Sequence, residues 1–408
     1  VARASLARRG AADELDRVIA LDREARDLRR TVEETRAERG RISKEVGRIR
    51  REGGDSAAQE ARARALGDQL AGEEARLRDV EAERDVLLTA IPNLAQPEAP
   101  DGGEDDAVEL RVVGDRPEFG FAPRDHVEIG RILGGLDMEQ AAKVSGARFA
   151  YLMGPLARLQ LALVSFAVDL LERRGFTAVV PPVMVREEAM YGTGFFPTDR
   201  ASIYRLADDD LYLVGTSEVP LAGLGYDRIL AEDELPLRLA GMSTCFRREA
   251  GSAGRDTRGI FRVHQFDKVE MFSFVEPAAS SEEHLRILAV QEEILTALGL
   301  HYRVVDIAVG DLGASAARKF DCEAWMVGQE RYREVTSCSN CTDYQARRLG
   351  CRVRRGKATE TVHTLNGTAV AVGRTIIAIV ETHQREDGTV AVPEALRAHG
   401  APAVLAPR

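Results

Sequence analysis

No stretch of about 18 uncharged apolar residues occurs in the 408 residues, so no simple membrane-spanning helix is expected. The most apolar helix candidate, residues 155–174, is interrupted by Arg158, Asp169, Glu172 and Arg173. The opening residues lack the apolar centre of a secretory signal, and a start without Met places the expected natural N-terminus upstream. Cysteine is sparse: Cys245, Cys322, Cys338, Cys341 and Cys351 make an odd number in a large charged chain. That argues for reduced thiols and a cytoplasmic protein. Cys338 and Cys341 form one C-x-x-C without a second pair at zinc spacing, so no zinc is expected. No G-x-x-x-x-G-K-[ST] loop is present, which removes P-loop chemistry. The seven histidines are scattered and form no Ser/His/Asp arrangement. A net charge of −10 disfavours non-specific nucleic-acid binding by the whole chain, so any RNA contact must come from local basic patches.

What is present is a soluble, charged composition, 44% hydrophobic and 30% charged, long enough for two or three domains. Its most informative stretch runs from Gly241 to Phe274. An extended run reaches Phe246-Arg247-Arg248-Glu249, a turn-rich patch follows from Ala250 to Arg258, and a second extended run is expected from Gly259. Five arginines fall between Arg247 and Arg262, close to Glu249, Asp267 and Glu270. Arginine grips phosphate and carboxylate with two-point geometry. A solvated edge that blunts aggregation is the plainer alternative.

Residues 11–52 predict one long helix. Leu21, Ala25, Leu28, Val32, Thr35, Arg39, Ile42, Val46 and Ile49 step by four and three, which is a heptad seam. Gly53-Gly54-Asp55 breaks it, and Ser56 is the expected cap of a second helix. There Leu66, Leu70, Leu77, Val80, Leu87 and Ile91 continue the pattern until Pro92. The two helices predict an antiparallel coiled-coil arm of roughly 40 Å. It is either a dimerisation device or a phosphate-tracking surface. Ten basic residues against five acidic ones between Arg26 and Arg51 favour the second. Residues 95–107 are rich in Pro, Gly and acid and predict a linker. Leu156, Leu159, Leu163, Phe166 and Leu170 form one helical stripe after Pro155, followed by a strand from Phe176. Glu218, after a mostly apolar run, is either a strand-end carboxylate in water or a buried ligand. Strands are further expected over 302–309 and 332–337, and a strand over 365–373 runs into a helix from Thr375. Arg374 at that helix start opposes the macrodipole unless it faces an anion.

Phe246-Arg247-x-Glu249, a loop, and a strand bearing acidic residues resemble motif 2 of the class II aminoacyl-tRNA synthetases. The fuller strings Ser243–Gly251 and Val263–Met271 resemble the seryl-tRNA synthetases of the bacterial type. The helix–strand–Pro unit over 155–182 resembles motif 1, and 365–380 resembles motif 3. The resemblance implies an α+β fold: an antiparallel sheet flanked by helices, carrying an N-terminal antiparallel α-helical coiled-coil arm. The expected boundaries are 1–94 for a tRNA-binding arm, 95–110 for a linker and 111–408 for the catalytic domain. It also implies ATP-dependent activation of L-serine and its transfer to tRNA(Ser), with tRNA(Sec) as a second acceptor, in a homodimer with no membrane partner. By the same resemblance Arg247, Glu249 and Arg374 are catalytic. Thr216, Ser217, Glu218, Glu270, Asn366 and Thr368 match the serine pocket, with Ser217 where the family often has Ala. Arg247, Arg248, Glu249, Val263, Glu334, Val335, Thr336, Ser337 and Arg374 match the ATP site, and Glu334 and Ser337 the Mg²⁺ ligands. A relative that hands its amino acid to a carrier protein would lack the arm. A silent homologue would have lost an Arg or Glu that is intact here.

Overall fold

The computed structural model describes residues 1–250, 254, 256 and 258–407, so Gly251, Ser252 and Arg255 of the expected turn-rich patch lie outside the described residues. The chain divides into two units, Val1–Ile91 and Pro92–Arg408.

The first unit contains α1 (Ala2–Arg8), α2 (Ala12–Arg51) and α3 (Ala57–Ala90). Val18, Leu21, Ala25, Val32 and Thr35 of α2 are buried, as are Leu70 and Val80 of α3. The heptad seam is therefore real, but it becomes shallower toward the turn. Ile42, Val46 and Ile49 are half-buried and Arg39 is exposed. Ion pairs fix the antiparallel register. Arg29 meets Glu81, Arg36 meets Glu74 and Arg50 meets Glu60, so each step along α2 is matched by an equal step back along α3. Ser56 does not act as the expected cap. Its φ of −105° and ψ of 7° are not the extended geometry a cap requires, and its hydroxyl bonds Glu60. The Ala57 N–H donates instead to Asp55 Oδ1 at 2.9 Å.

In the second unit the principal elements in chain order are β1 (Val108–Val113), α4 (His126–Ile132), α5 (Gly154–Arg173), β2 (Thr177–Val179), α6 (Glu218–Gly223), β3 (Leu237–Phe246), β4 (Gln265–Val275), α7 (Ser280–Ala297), β5 (Tyr302–Asp306), β6 (Arg318–Met326), β7 (Arg331–Thr342), β8 (His363–Ala371) and α8 (Val372–Thr382). The eight strands form one sheet in the order β1-β5-β6-β7-β8-β4-β3-β2. All neighbours are antiparallel except the edge strand β2, which runs parallel to β3. The stripe Leu156, Leu159, Leu163, Phe166 and Leu170 of α5 is buried, and it shares one core with α7, α8 and the residues Val269, Met271 and Val275 of β4. The helix α5 is long and apolar enough to cross a membrane, yet half of it is buried inside this unit.

The segment expected as a linker is docked. Ala95 and Ala99 pack with Val305, Ile307 and Val309, and the N–H groups of Asn93 and Gln96 donate to Ala314 and Ala317. Its last residues enter β1. The second extended run begins at Gln265, later than the expected Gly259. The reason is local. Gly259 has φ +82°, and a Cβ there would lie 1.9 Å from His126 Nε2. That ring accepts the Ile260 N–H at 3.3 Å, and its Nδ1 bonds the buried Glu381 at 2.8 Å. The backbone at 259–260 is thus tied to α4 and α8 instead of to a strand.

Candidate active site

Side-chain alternation along β4 builds the site. Val269, Met271 and Val275 point into the helix-covered core, while Phe266 and Lys268 line a cleft on the other face. Glu270 follows Lys268 on that same face, and Phe272 and Phe274 then join a second core. With the open solvent at its mouth included, the cleft holds about 630 Å³ of empty space. Arg247 and Glu249 come from the end of β3, Glu334, Val335 and Ser337 from β7, Thr368 from β8 and Arg374 from the start of α8.

Its polar groups are held by one another. The Arg247 N–H donates to His264 O at 3.0 Å, and its Nε donates to Gly215 O at 3.2 Å. Glu249 accepts from Arg262 at 2.8 Å, and Asp256 accepts from Arg333 at 2.7 Å. Arg374 donates to Glu334 O at 3.0 Å and lies 3.2 Å from its carboxylate, the anion that its position at a helix start requires. The Phe261 ring lies against both Arg333 and Arg374, with centroid distances of 3.8 and 4.5 Å. Burial acts to raise the Glu334 carboxyl, but Arg374, then Lys319, Arg247 and Lys268 outweigh it and hold it down to about 2. The surrounding cations keep the carboxylate charged, and it lines the cleft.

A second polar cluster lies behind Lys268 and Thr368. Lys268 Nζ meets Glu270 at 2.6 Å, and the Thr368 hydroxyl donates to the same carboxylate at 3.3 Å. Glu218, the first residue of α6, accepts from Gln345 at 2.7 Å and Asn366 at 2.9 Å. Its own N–H donates to Thr216 at 3.2 Å. Of the two readings open for Glu218, the buried one holds. Burial pushes its carboxyl up to about 7 and Glu270 adds to the push, while Gln345, Lys268 and Arg247 oppose it. Gly241 permits this packing, because a Cβ there would lie 2.7 Å from Leu221 and 3.0 Å from Ser217. The arrangement is one cleft lined by cations, with two carboxylates and small hydroxyls at its inner end.

A family model described as the seryl-tRNA synthetase N-terminal domain matches residues 1–95, and one described as the tRNA synthetase class II core domain (G, H, P, S and T) matches residues 203–383. The serine–tRNA ligase of Streptomyces coelicolor is 55% identical over 331 residues, 80% of this chain and 78% of the relative. The corresponding ligase of Rhodococcus jostii is 57% identical over 320 residues, 78% of this chain and 76% of the relative. The chain belongs to the seryl-tRNA synthetases. The crystal structure of seryl-tRNA synthetase from Pyrococcus horikoshii complexed with ATP superposes with a TM-score of 0.91 at 40% identity, covering 100% of this chain and 97% of that one.

Most residues that the sequence pointed to converge here. Arg247, Glu249, Val263, Glu334, Val335, Ser337, Thr368 and Arg374 line the cleft. Thr216, Glu218, Glu270 and Asn366 form the inner cluster. Three do not reach the lining. Arg248 is exposed, and its N–H bonds Ser202. Ser217 is fully buried, with its hydroxyl 2.7 Å from that of Ser243. Thr336 faces α7, where it accepts from Gln291 at 2.8 Å. Sequence reasoning missed Lys268, Phe266, Phe261 and Gln345. Lys268 and Phe266 had a signal, since they alternate with Glu270 on one strand face. Phe261 and Gln345 had none, since only tertiary packing brings them in. The cysteines of the C-x-x-C are both buried, and burial raises both thiols well above their ordinary value.

Proposed function

We propose that the inner cluster receives L-serine and the outer cleft receives ATP. The serine carboxylate then attacks the α-phosphorus, forming seryl-adenylate and releasing pyrophosphate. A terminal ribose hydroxyl of tRNA(Ser) next attacks the seryl carbonyl, and AMP leaves. The observation that supports this division is the continuous path from the Arg247–Arg374 cations, through Lys268 and Thr368, to Glu270 and Glu218. Two anions must meet in the first step, and fixed cations at the reacting phosphate offset their repulsion. Arg247, Glu249 and Arg374 form the catalytic set. Val263, Val335 and the Phe266 ring shape the nucleotide wall, while Arg248 and Thr336 act from its rim and its back. Glu218 and Glu270 face the serine ammonium. Asn366, Thr368 and Thr216, backed by Ser217, read the hydroxyl. Alanine would leave such groups unpaired.

The Glu334 carboxylate and the Ser337 hydroxyl, both open to the cleft, suit a hard cation that prefers oxygen ligands and phosphate partners. Mg²⁺ held there would draw phosphate oxygens together and offset their charge. Residues 1–94 form the tRNA-binding arm and 111–408 the catalytic domain. The enzyme works as a cytoplasmic homodimer. The exposed Leu161 of α5 and Val180 beyond β2, 62% and 81% accessible, supply apolar surface for a second copy. The same chemistry extends to tRNA(Sec) as a second acceptor.

Serine-dependent ATP–pyrophosphate exchange, followed by charging of purified tRNA(Ser) and tRNA(Sec), tests the assignment. A variant lacking residues 26–85, with the helix stubs rejoined by Gly, should keep exchange and lose tRNA charging. Were the arm a dimerisation device, that variant would sediment as a monomer and lose exchange as well.

A further inference from the structure

A second basic surface stands outside both the cleft and the arm. Between Arg347 and Lys357 the chain carries Arg347, Arg348, Arg352, Arg354, Arg355 and Lys357 with no acidic residue, in a protein of net charge −10. The structure folds this stretch into the end of a short helix and a hairpin of strands Arg352–Arg355 and Ala358–Thr361. Alternation sorts its side chains. Val353 is fully buried, while Arg352, Arg354 and Lys357 are exposed. The inward bases are occupied: Arg355 pairs with Glu232 at 2.7 Å and also with Glu276, and Arg348 lies over the Tyr344 ring. Among the described residues, Arg352, Arg354 and Lys357 have no side-chain hydrogen bond or ion pair.

The hairpin is rigidly joined to the inner end of the site. Val353 shares a core with Leu221 and Ala222 of α6, the helix that opens at Glu218, and with Phe272 of β4. Gln345, which bonds Glu218, is seven residues from Arg352, so the two lie within about 25 Å even for a fully extended chain. A solvated charged face would alternate signs or pair them. Here Arg347 is paired with Asp343, and Arg355 also with Glu360 of the same hairpin, while the exposed Arg352, Arg354 and Lys357 keep one sign without a partner, which fits a polyanion whose end enters the cleft.

We propose that Arg352, Arg354 and Lys357 form an RNA-backbone contact on the catalytic unit, holding phosphates of the tRNA acceptor region during seryl transfer. The proposal rests on tRNA being the acceptor. The test replaces all three by Gln and leaves the paired Arg355 untouched. Serine-dependent pyrophosphate exchange should stay at the parent level, which also certifies the fold. The KM for tRNA should rise roughly tenfold near 100 mM salt. The plot of log affinity for tRNA against log salt should become shallower by about 2 to 3, given ~0.7–0.9 per phosphate neutralised. Arg352→Lys combined with Arg354→Lys should keep most of the slope. Unchanged tRNA KM and slope in the Gln variant would overturn the proposal. So would loss of binding to phosphatidylserine vesicles with tRNA behaviour intact, which would assign the patch to a membrane surface. Failure of the parent protein to charge tRNA at all would instead overturn the functional reading on which the proposal stands.

Discussion

The arm and the cleft both hold arginines against carboxylates, but they hold them in different solvents. In the arm, Arg36 and Glu74 are 62% and 35% exposed, and Arg29 and Glu81 are 55% and 29% exposed. In the catalytic unit, Lys268 and Glu270 are 8% and 2% exposed, and Arg333 and Asp256 are 14% and 12% exposed. Water and salt screen the first set, so each pair contributes little to stability and is readily exchanged. The second set is largely removed from water. Its members act strongly on one another, and losing one partner leaves a costly unpaired charge. One region can therefore trade its carboxylate partners for phosphates, while the other presents fixed charge to a reacting group. Breaking that contrast calls for substitutions on both sides of it.

The largest effect should come from Arg247→Ala. Its guanidinium is anchored on Gly215 O at the cleft wall, and its backbone N–H on His264 O. Its removal should slow serine-dependent pyrophosphate exchange by at least 10²-fold, from roughly 3 kcal/mol of lost transition-state stabilisation. A thermal melt close to the parent's would show that the fold survives. Near-normal exchange in that folded variant would remove Arg247 from the catalytic set.

Glu218 gives a pH-dependent effect of intermediate size. Its folded carboxyl titrates near 7, against an ordinary value of 4.5. The native state therefore holds this proton more tightly than the unfolded chain. Its stability contribution is undiminished below about 4.5 and is lost as pH rises toward and through 7. Glu218→Gln should flatten this part of the stability–pH profile. Serine binding should show the opposite trend. An ammonium favours the ionised carboxylate, so occupancy expels the proton, and affinity should climb up to about tenfold per pH unit below 7 and level off above it. Calorimetry in buffers of different ionisation enthalpy would count that proton. A pH-independent serine affinity between 6 and 8 would place the ammonium elsewhere.

How much of this was legible in sequence depended on the range of the forces involved. The arm was readable because the heptad step is local, and Leu21, Ala25 and Val32 are buried as the step requires. The cap at Ser56 was misread, because which of two adjacent polar residues caps depends on backbone angles that composition does not reveal. Motif strings located Arg247, Glu249 and Arg374, since each lies at the end of a strand or the start of a helix. Glu218 could not be assigned from its neighbours. Its burial comes from Gln345 and Asn366, more than a hundred residues away. The late start of β4 was equally hidden, because it follows from the contact between Gly259 and His126.

The smallest effect should arise in the arm, and it separates exchangeable charge from structural charge most sharply. Of the ten bases between Arg26 and Arg51, Arg26, Arg29, Arg30, Arg36, Arg48 and Arg50 are paired with arm carboxylates, while Arg39, Arg41, Lys44 and Arg51 have no ion pair among the described residues. An RNA backbone would have to displace those carboxylates or use the unpaired bases. Glu74→Gln and Glu81→Gln together release Arg36 and Arg29 without altering the seam. Each exposed pair contributes only about 0–1 kcal/mol after screening, so the melting temperature should move little. Affinity for tRNA should rise, because two anions that compete with phosphate are gone. Its salt dependence should steepen by up to about 0.7–0.9 for each released arginine that takes a phosphate. A drop in affinity together with a clear loss of helix stability would mean that these pairs hold the arm together, and that the unpaired Arg39, Arg41, Lys44 and Arg51 carry the RNA contact by themselves.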